Sequence, residues 1–282
     1  MKYRRIGWIV VLAVLLMIGG GIAIKWYCGT YTCFERKFER WAKDSGITAE
    51  DIEPFFTFTY GGYQYCYKGY YPGKVGEPGV DWQRKEKEYD GWSVLYLEND
   101  TEPDWILEEA FGFPVKGMNS CYEYRHDLLK VKNIPSQVVE MRHCFFDCQK
   151  LQQAPEIPEG VTDMAYCFMC CWALEECGKL PDKLEDMESC FEDCRALRTG
   201  PRIPASVTNM ATAFASCYCL SGDLVIDASP VRYDDCFYHC SGRDGAKVVL
   251  SGKAPREVLE ALKETGGFVS AKNFTVKTES TE

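Results

Sequence analysis

Sixteen cysteines and three histidines are the residues of this chain best suited to ligate a metal, carry electrons or attack a substrate. Their spacing decides among those chemistries. Ten of the sixteen cysteines fall into two regular columns. The first is Cys121, Cys144, Cys167, Cys190 and Cys236, with Ala213 at one place in the series. The second is Cys148, Cys171, Cys194, Cys217 and Cys240, opened by Arg125. An alanine that replaces a cysteine points to a small buried side chain, and free cysteine is among the most buried residue types. Packing is the first reading. Disulfides are the second, because equivalent residues on turns stacked about 4.8 Å apart lie within bonding range of their Cα atoms. Parallel side chains make that dihedral awkward, so the off-column cysteines Cys170, Cys177, Cys219, and Cys28 with Cys33, suit bonding better. Metal is the third reading. C-x-x-x-C is a poor zinc spacing, and Cys167, Cys170 and Cys171 lack a partner pair. No metal, cofactor or catalytic residue is assigned. His126, His143 and His239 lie in a repeated turn among polar neighbours and read as surface residues. The chain has no Gly-rich phosphate loop, nucleophile elbow or fixed Ser/His/Asp set, so a non-enzymatic role is expected.

The two columns belong to a larger register. Met118, Met141, Met164, Met187 and Met210 recur every 23 residues. An aromatic follows in each copy: Tyr122, Phe145, Phe168, Phe191, Phe214 and Phe237. Leu128, Leu151, Leu174, Leu197 and Leu220 come next, then Ile134-Pro135, Ile157-Pro158, Leu180-Pro181 and Ile203-Pro204. Ile226-Asp227 breaks that last pattern. A short fixed period means stacked supersecondary units that share one core. About seven positions per unit are apolar, and residues such as Gln152, Glu156, Glu159 and Asp163 lie between them. One inward row and a solvated exterior follow. Stacking at about 4.8 Å gives about six coils a length of about 25–30 Å.

The unit V-x-x-M-x-x-C-F-x-x-C-x-x-L-x-x-x-P-x-I-P resembles the BspA-type bacterial leucine-rich repeat. Val207-Thr208-Asn209-Met210, Phe214 and Cys217 are similar to the surface-protein repeats of that group. The resemblance covers about residues 115–245. It implies an α/β repeat solenoid, a right-handed leucine-rich-repeat stack with a parallel strand face near Leu151–Ile157 and its equivalents. It also implies a helical or irregular turn that carries the Met, aromatic and second Cys inward. Known members are mostly surface adhesins and binding proteins. This chain departs from the family at the first Cys, where alanine is usual, and in its last copy, at Asp227 and Arg243.

The N-terminus carries a second signal. Met1-Lys2-Tyr3-Arg4-Arg5 is basic and Ile6 to Ile24 is uncharged and largely apolar. That length spans a bilayer of about 30 Å. The basic end is expected in the cytoplasm and the remainder outside. Cleavage after Ala23 is the competing reading, which would give a secreted protein. Arg36, Lys37, Arg40 and Lys43 dilute the charge asymmetry, so a cytoplasmic C-terminal part stays open. Lys25-Trp26-Tyr27 before Cys28 is too bulky for a lipoprotein signal. With 42 acidic against 32 basic residues the chain does not suit nucleic acid.

Four regions are expected: 1–28, a cytoplasmic end and signal-anchor; 29–114, a tyrosine-rich membrane-proximal region and N-terminal cap; 115–246, the solenoid; and 247–282, a C-terminal cap and tail. The flanking regions read as small α+β structures. The spacing of Phe34, Phe38 and Trp41 predicts a short helix. Two alternating runs around Gly61-Gly62 predict a β-hairpin. Its tyrosines offer either a contact surface or a small β core. Trp92–Leu97 reads as a strand, and 105–111 as a short helix covering the first coil. At the far end a strand over 248–250, a helix after Pro255 closed by Thr265-Gly266-Gly267, and strands at 268–269 and 274–276 cover the last coil. The expected role is a membrane-anchored surface protein binding a protein or glycan, with an envelope-assembly partner or a thiol redox or metal protein as alternatives.

Overall fold

The computed structural model describes residues 57–60, 62–67, 91–97, 105–110, 113–240, 247–267 and 271–277. The apolar run 6–24, the expected helix at 34–43, Cys28, Cys33 and the strand at 268–269 lie outside them. Among the described residues no helix is long and apolar enough to cross a membrane. The chain forms two compact units, Met1–Gly117 and Met118–Glu282.

The first unit holds a five-stranded sheet of order β1-β2-β3-β5-β4. Strands β1 (Thr57–Tyr60) and β2 (Tyr63–Tyr67) form the expected hairpin, with Tyr60 opposite Tyr63. Gly62 takes φ +83°, a conformation open to glycine without steric cost. β3 (Trp92–Tyr96) pairs antiparallel with β2. Tyr63, Tyr65, Trp92 and Val94 are fully buried, so the tyrosines at 63 and 65 build a β core rather than a contact surface. The Tyr65 hydroxyl accepts the Leu107 N–H at 3.0 Å, which satisfies the ring's polar end inside that core.

The helix expected over 105–111 is corrected. Glu109–Ala110 is strand β4, antiparallel to β5 (Phe113–Gly117), which runs parallel to β3. So short a segment gains few internal helical bonds. The sheet offers it ladder partners instead, and β5 carries the first unit to Gly117.

The second unit is a repeat solenoid. Parallel bridges link Gln153 to Glu176 and Glu176 to Thr199 on one side, and Glu140, Asp163, Asp186, Asn209 and Arg232 in succession on another. The strand implied near Leu151–Ile157 is reduced to these single bridges. Pro155, Pro158, Pro181, Pro201 and Pro204 supply no ladder donor, so pairing cannot extend along the chain. The parallel face becomes a sheet only at the end, where β6 (Gly222–Val225), β7 (Val248–Ser251) and β8 (Phe274–Val276) pair in that order.

The C-terminal elements form a cap, as solenoids require. Helix α1 (Arg256–Glu264) starts after Pro255 and buries Leu259 and Leu262, while Val258 is half-buried. Phe274 from β8 lies 4.8 Å from Phe237 and extends the ring stack beyond the repeats. Asp227, which breaks the Ile-Pro pattern, accepts the Lys253 N–H at 2.9 Å and pairs with Arg202. A carboxylate here ties the cap to the last repeats, which a proline could not do.

Candidate binding surface

The turn that carries the Met, aromatic and second Cys sets the chemistry of the unit. In the second repeat Cys144 N–H closes on Met141 O at 3.2 Å and Cys148 N–H on Phe145 O at 3.1 Å. The N–H groups of Met141, His143, Phe145 and Asp147 instead cross to the next repeat, at 2.9, 3.0, 2.8 and 2.8 Å. This division of donors needs a left-handed residue every fourth position. They are Ser120 and Tyr124, His143 and Asp147, Tyr166 and Cys170, Ser189 and Asp193, Thr212 and Ser216, and Asp235 and His239, with φ between 50° and 62°. None is glycine. Each L-residue there costs roughly 1–2 kcal/mol against the right-handed form, and Thr212, Tyr124 and Tyr166 are the least suited types. The cross-repeat hydrogen bonds over-determine the conformation.

Inside the turn the columns are uniform. Met118, Met141, Met164, Met187 and Met210 are fully buried, as are Phe145, Phe168, Phe191, Phe214 and Phe237. So are Cys144, Cys167, Cys190, Cys148, Cys171, Cys194, Cys217 and Cys240, and Leu151, Leu174, Leu197 and Leu220. Successive rings from Tyr122 to Phe237 stack with centroids 5.3, 5.2, 5.7, 5.4 and 5.7 Å apart and planes within 18°. The two cysteine columns differ. Four second-column thiols donate to the aromatic carbonyl of the previous repeat: Cys148 to Tyr122, Cys171 to Phe145, Cys194 to Phe168 and Cys217 to Phe191, at 3.1–3.2 Å. Cys240 donates to Cys217 O at 3.4 Å. The first column includes Ala213, also fully buried.

Burial holds these thiols in the protonated form. It pushes Cys148 up to about 12, and Cys144, Cys167, Cys171, Cys190 and Cys194 well above the ordinary thiol range. Cys170 is half-buried, and burial with the Asp193, Asp147 and Glu192 carboxylates takes it to about 11. Thiolate is the nucleophile and the metal ligand, so these sites are poor at both tasks. None of the described cysteines is in a disulfide, and no group of three or more His, Cys, Asp or Glu among the described residues is placed to hold a metal.

The outer side of the same turn varies from repeat to repeat. Tyr124 is 60% exposed and meets Phe146 edge-on at 5.3 Å. His143 lies 5.6 Å from Phe146 and stacks on Tyr166 at 4.7 Å. Trp172 is 38% and Tyr238 46% exposed. Carboxylates are interleaved with these rings. The His126 Nε2 donates to Asp147 at 2.8 Å, Trp172 Nε1 to Asp193 at 3.0 Å, and the Tyr166 hydroxyl to Glu188 at 2.6 Å. Asp147 has no proton to give, so the imidazole nitrogen is the donor there.

A polar ladder beside these rings fixes their turns. Asp163 and Asp186 each accept the N–H two residues on, at 3.0 Å, and Asn209 does the same at 3.3 Å. Arg142 forks onto Asp163 at 2.8 and 3.1 Å, and Arg232 reaches Glu188 at 3.3 Å. Burial raises the Asp186 pKa, against the Glu188 N–H and Asn209 bonds that favour its charge.

The bridge face around Gln153 is plainer. Segments 151–157, 174–180 and 197–203 contain no aromatic residue, and their exposed side chains are Gln152, Gln153, Glu156, Glu175, Glu176, Lys179, Arg198, Thr199 and Arg202. Among the described residues of the solenoid, the exposed rings Tyr124, Trp172 and Tyr238 therefore sit on the turn face.

No protein-family model and no curated protein matches the chain. Two solved structures resemble it. A leucine-rich repeat protein of T. pallidum is 16% identical, with 63% of this chain and 89% of that one covered and a TM-score of 0.41. A leucine-rich repeat protein from Bacteroides ovatus is 20% identical, with 62% of this chain covered and the same TM-score of 0.41. The chain spans 49% of the length of that second protein. At this distance no residue role passes from either protein to this chain.

Proposed function

We propose that this is a membrane-anchored surface protein of the BspA-type leucine-rich-repeat kind. About six coils present a binding face to a protein or glycan outside the cell, and residues 6–24 hold the chain in the membrane. The observation that carries the reading is the contrast within each turn. The interior repeats the same side chains, while the exterior changes in every copy and gathers exposed rings among carboxylates. Aromatics with adjacent polar groups are what contact surfaces are enriched in, and solenoids bind through such variable outer positions. Protonated, buried thiols favour binding over redox or metal chemistry, and the reading assigns no catalysis.

The test is made on whole cells. The full-length chain is expected in the membrane fraction, with residues after about 28 digested by added protease. Cross-linking on those cells is expected to join it to an external protein or glycan. Protease resistance on intact cells, or no external adduct, would overturn the reading. A mature form starting at Ile24 would replace the anchor with a cleaved signal.

A further inference from the structure

The turn face holds one arginine of its own chain against a ring and a carboxylate. Asp193 accepts the Trp172 indole N–H at 3.0 Å from the preceding repeat. It also accepts two bonds from Arg195, at 2.9 and 2.8 Å. The Arg195 guanidinium carbon stands 4.6 Å from the centre of the Trp172 ring. A ring and a carboxylate together cradle a guanidinium, which stacks on one and forks onto the other.

Two repeats earlier the same three positions hold His126, Asp147 and Gln149. The frame is kept. His126 Nε2 donates to Asp147 at 2.8 Å, as Trp172 does to Asp193, and Gln149 Nε2 donates to the other carboxylate oxygen at 3.1 Å. The guanidinium is gone. Gln149 brings no charge, and the imidazole brings one only when protonated. Around this cradle stand Tyr124, 60% exposed, and Phe146. Burial and then the Glu123 and Asp147 carboxylates raise the Tyr124 phenol above its ordinary range, which places the ring in their negative field. Arg125 in the same turn does not fill the gap, since its side chain is only 20% exposed and pairs with Asp127 at 4.0 Å.

We propose that the Asp147 cradle, with Tyr124 and His126 as its rings, receives an arginine side chain from a partner protein, in the place that Arg195 takes at Asp193. The proposal rests on the binding role above and names the partner's chemistry. A planar fork fits a ring beside a carboxylate better than an ammonium does. The chain's formal charge of −10 attracts a cationic partner and speeds encounter.

The experiment uses the full-length chain in non-ionic detergent and a fluorescein-labelled glycine-arginine peptide, read by fluorescence anisotropy at low salt. Matched peptides carry citrulline or lysine in place of arginine. The arginine peptide is expected to bind at least about tenfold more tightly than the citrulline peptide, a difference of about 1.4 kcal/mol, and more tightly than the lysine peptide. Gln149→Arg fills the cradle from within and is expected to weaken binding at least about tenfold, as is Asp147→Asn. Arg195→Ala empties the second cradle and is expected to add a second bound peptide. Thermal melting checks that each variant is folded, and Gln149→Arg, an added surface charge beside a carboxylate, keeps the test decisive if Asp147→Asn is not. Equal binding of the arginine and citrulline peptides, or undiminished binding by Gln149→Arg, overturns the proposal. If whole cells still yield an external adduct in that case, the binding role stands without this site.

Discussion

The two sides of one turn obey different rules. On the inside, Phe145, Phe168, Phe191, Phe214 and Phe237 repeat one ring in one orientation, flanked by two columns of near-identical small side chains. On the outside, the left-handed positions hold Ser, His, Tyr, Thr, Asp and Cys without pattern. The difference follows from where the backbone bonds go. Alternate N–H groups close the turn and cross to the next repeat, so the backbone sets the conformation, with side-chain acceptors adding to it at Asp163, Asp186 and Asn209. Those side chains are then free to differ, and the interior is not. On the proposed reading, a solenoid of this kind separates stability from recognition residue by residue.

The largest effect that sharpens this contrast is expected from the ring column. Phe191→Ala leaves a cavity between Phe168 and Phe214 and should cost roughly 3–5 kcal/mol, read by chemical denaturation. Hydrogen exchange should quicken in the repeats on either side. Solvent-tolerant behaviour at Phe191 would break the comparison at its root.

The two cysteine columns come next. Ala213 already occupies the first column, so Cys190→Ala should cost little. Cys194→Ala also loses the S–H bond to Phe168 O, and should cost about 0.5 kcal/mol more, the low end for a hydrogen bond because S–H is a weak donor. Cys194→Ser should recover part of that loss, since a hydroxyl can donate to the same carbonyl. Equal costs at the two sites would show that the second column packs and does nothing else. Raised pKa values carry a parallel expectation. At about pH 8, where an ordinary thiol is partly ionised, alkylation of the column cysteines should proceed only as fast as the repeats open, and chemical reactivity should rise only as the pH nears the value of about 12 at Cys148.

A smaller effect of opposite sign is expected at the left-handed positions. Ser216, with φ 60°, is such a site. Ser216→Gly removes the steric cost but loosens the unfolded chain, so it should be neutral or stabilise by up to about 1 kcal/mol. The neighbouring Cys217→Gly should destabilise. Thermal melting of the two variants distinguishes an imposed conformation from an intrinsic one.

Most of the interior was legible in the sequence because a fixed period puts every copy of a residue in the same environment. The Met, aromatic, Cys and Leu columns could be read straight from their numbers. The turn conformation could not. A left-handed residue is normally announced by glycine, and here neighbouring repeats impose it on residues such as Thr212 and Tyr166. The ring–carboxylate pairs carry a signal in their spacing. His126 with Asp147 and Trp172 with Asp193 are each separated by 21 residues, two short of a full repeat. That offset is visible only once the turn is known to project those positions side by side. In the first unit the Gly61-Gly62 hairpin was plain, because turn and alternation agreed. Strand β4 was not, because two residues carry no periodicity and the strand exists only through its pairing with β5.

The smallest stability effects belong to the outer face, where the largest binding effects are expected. Tyr124→Ala and His126→Ala should change stability by no more than about 0.5 kcal/mol, as surface substitutions do. The most direct test of the central claim is therefore a paired photo-cross-linking measurement on whole cells. A photoreactive residue replaces Tyr124 on the turn face in one variant and Gln153 on the bridge face in another. Adducts to an external partner from position 124, and few from position 153, are the predicted result. Adducts from position 153 alone, or equal yields from both, would contradict the assignment of recognition to the turn face.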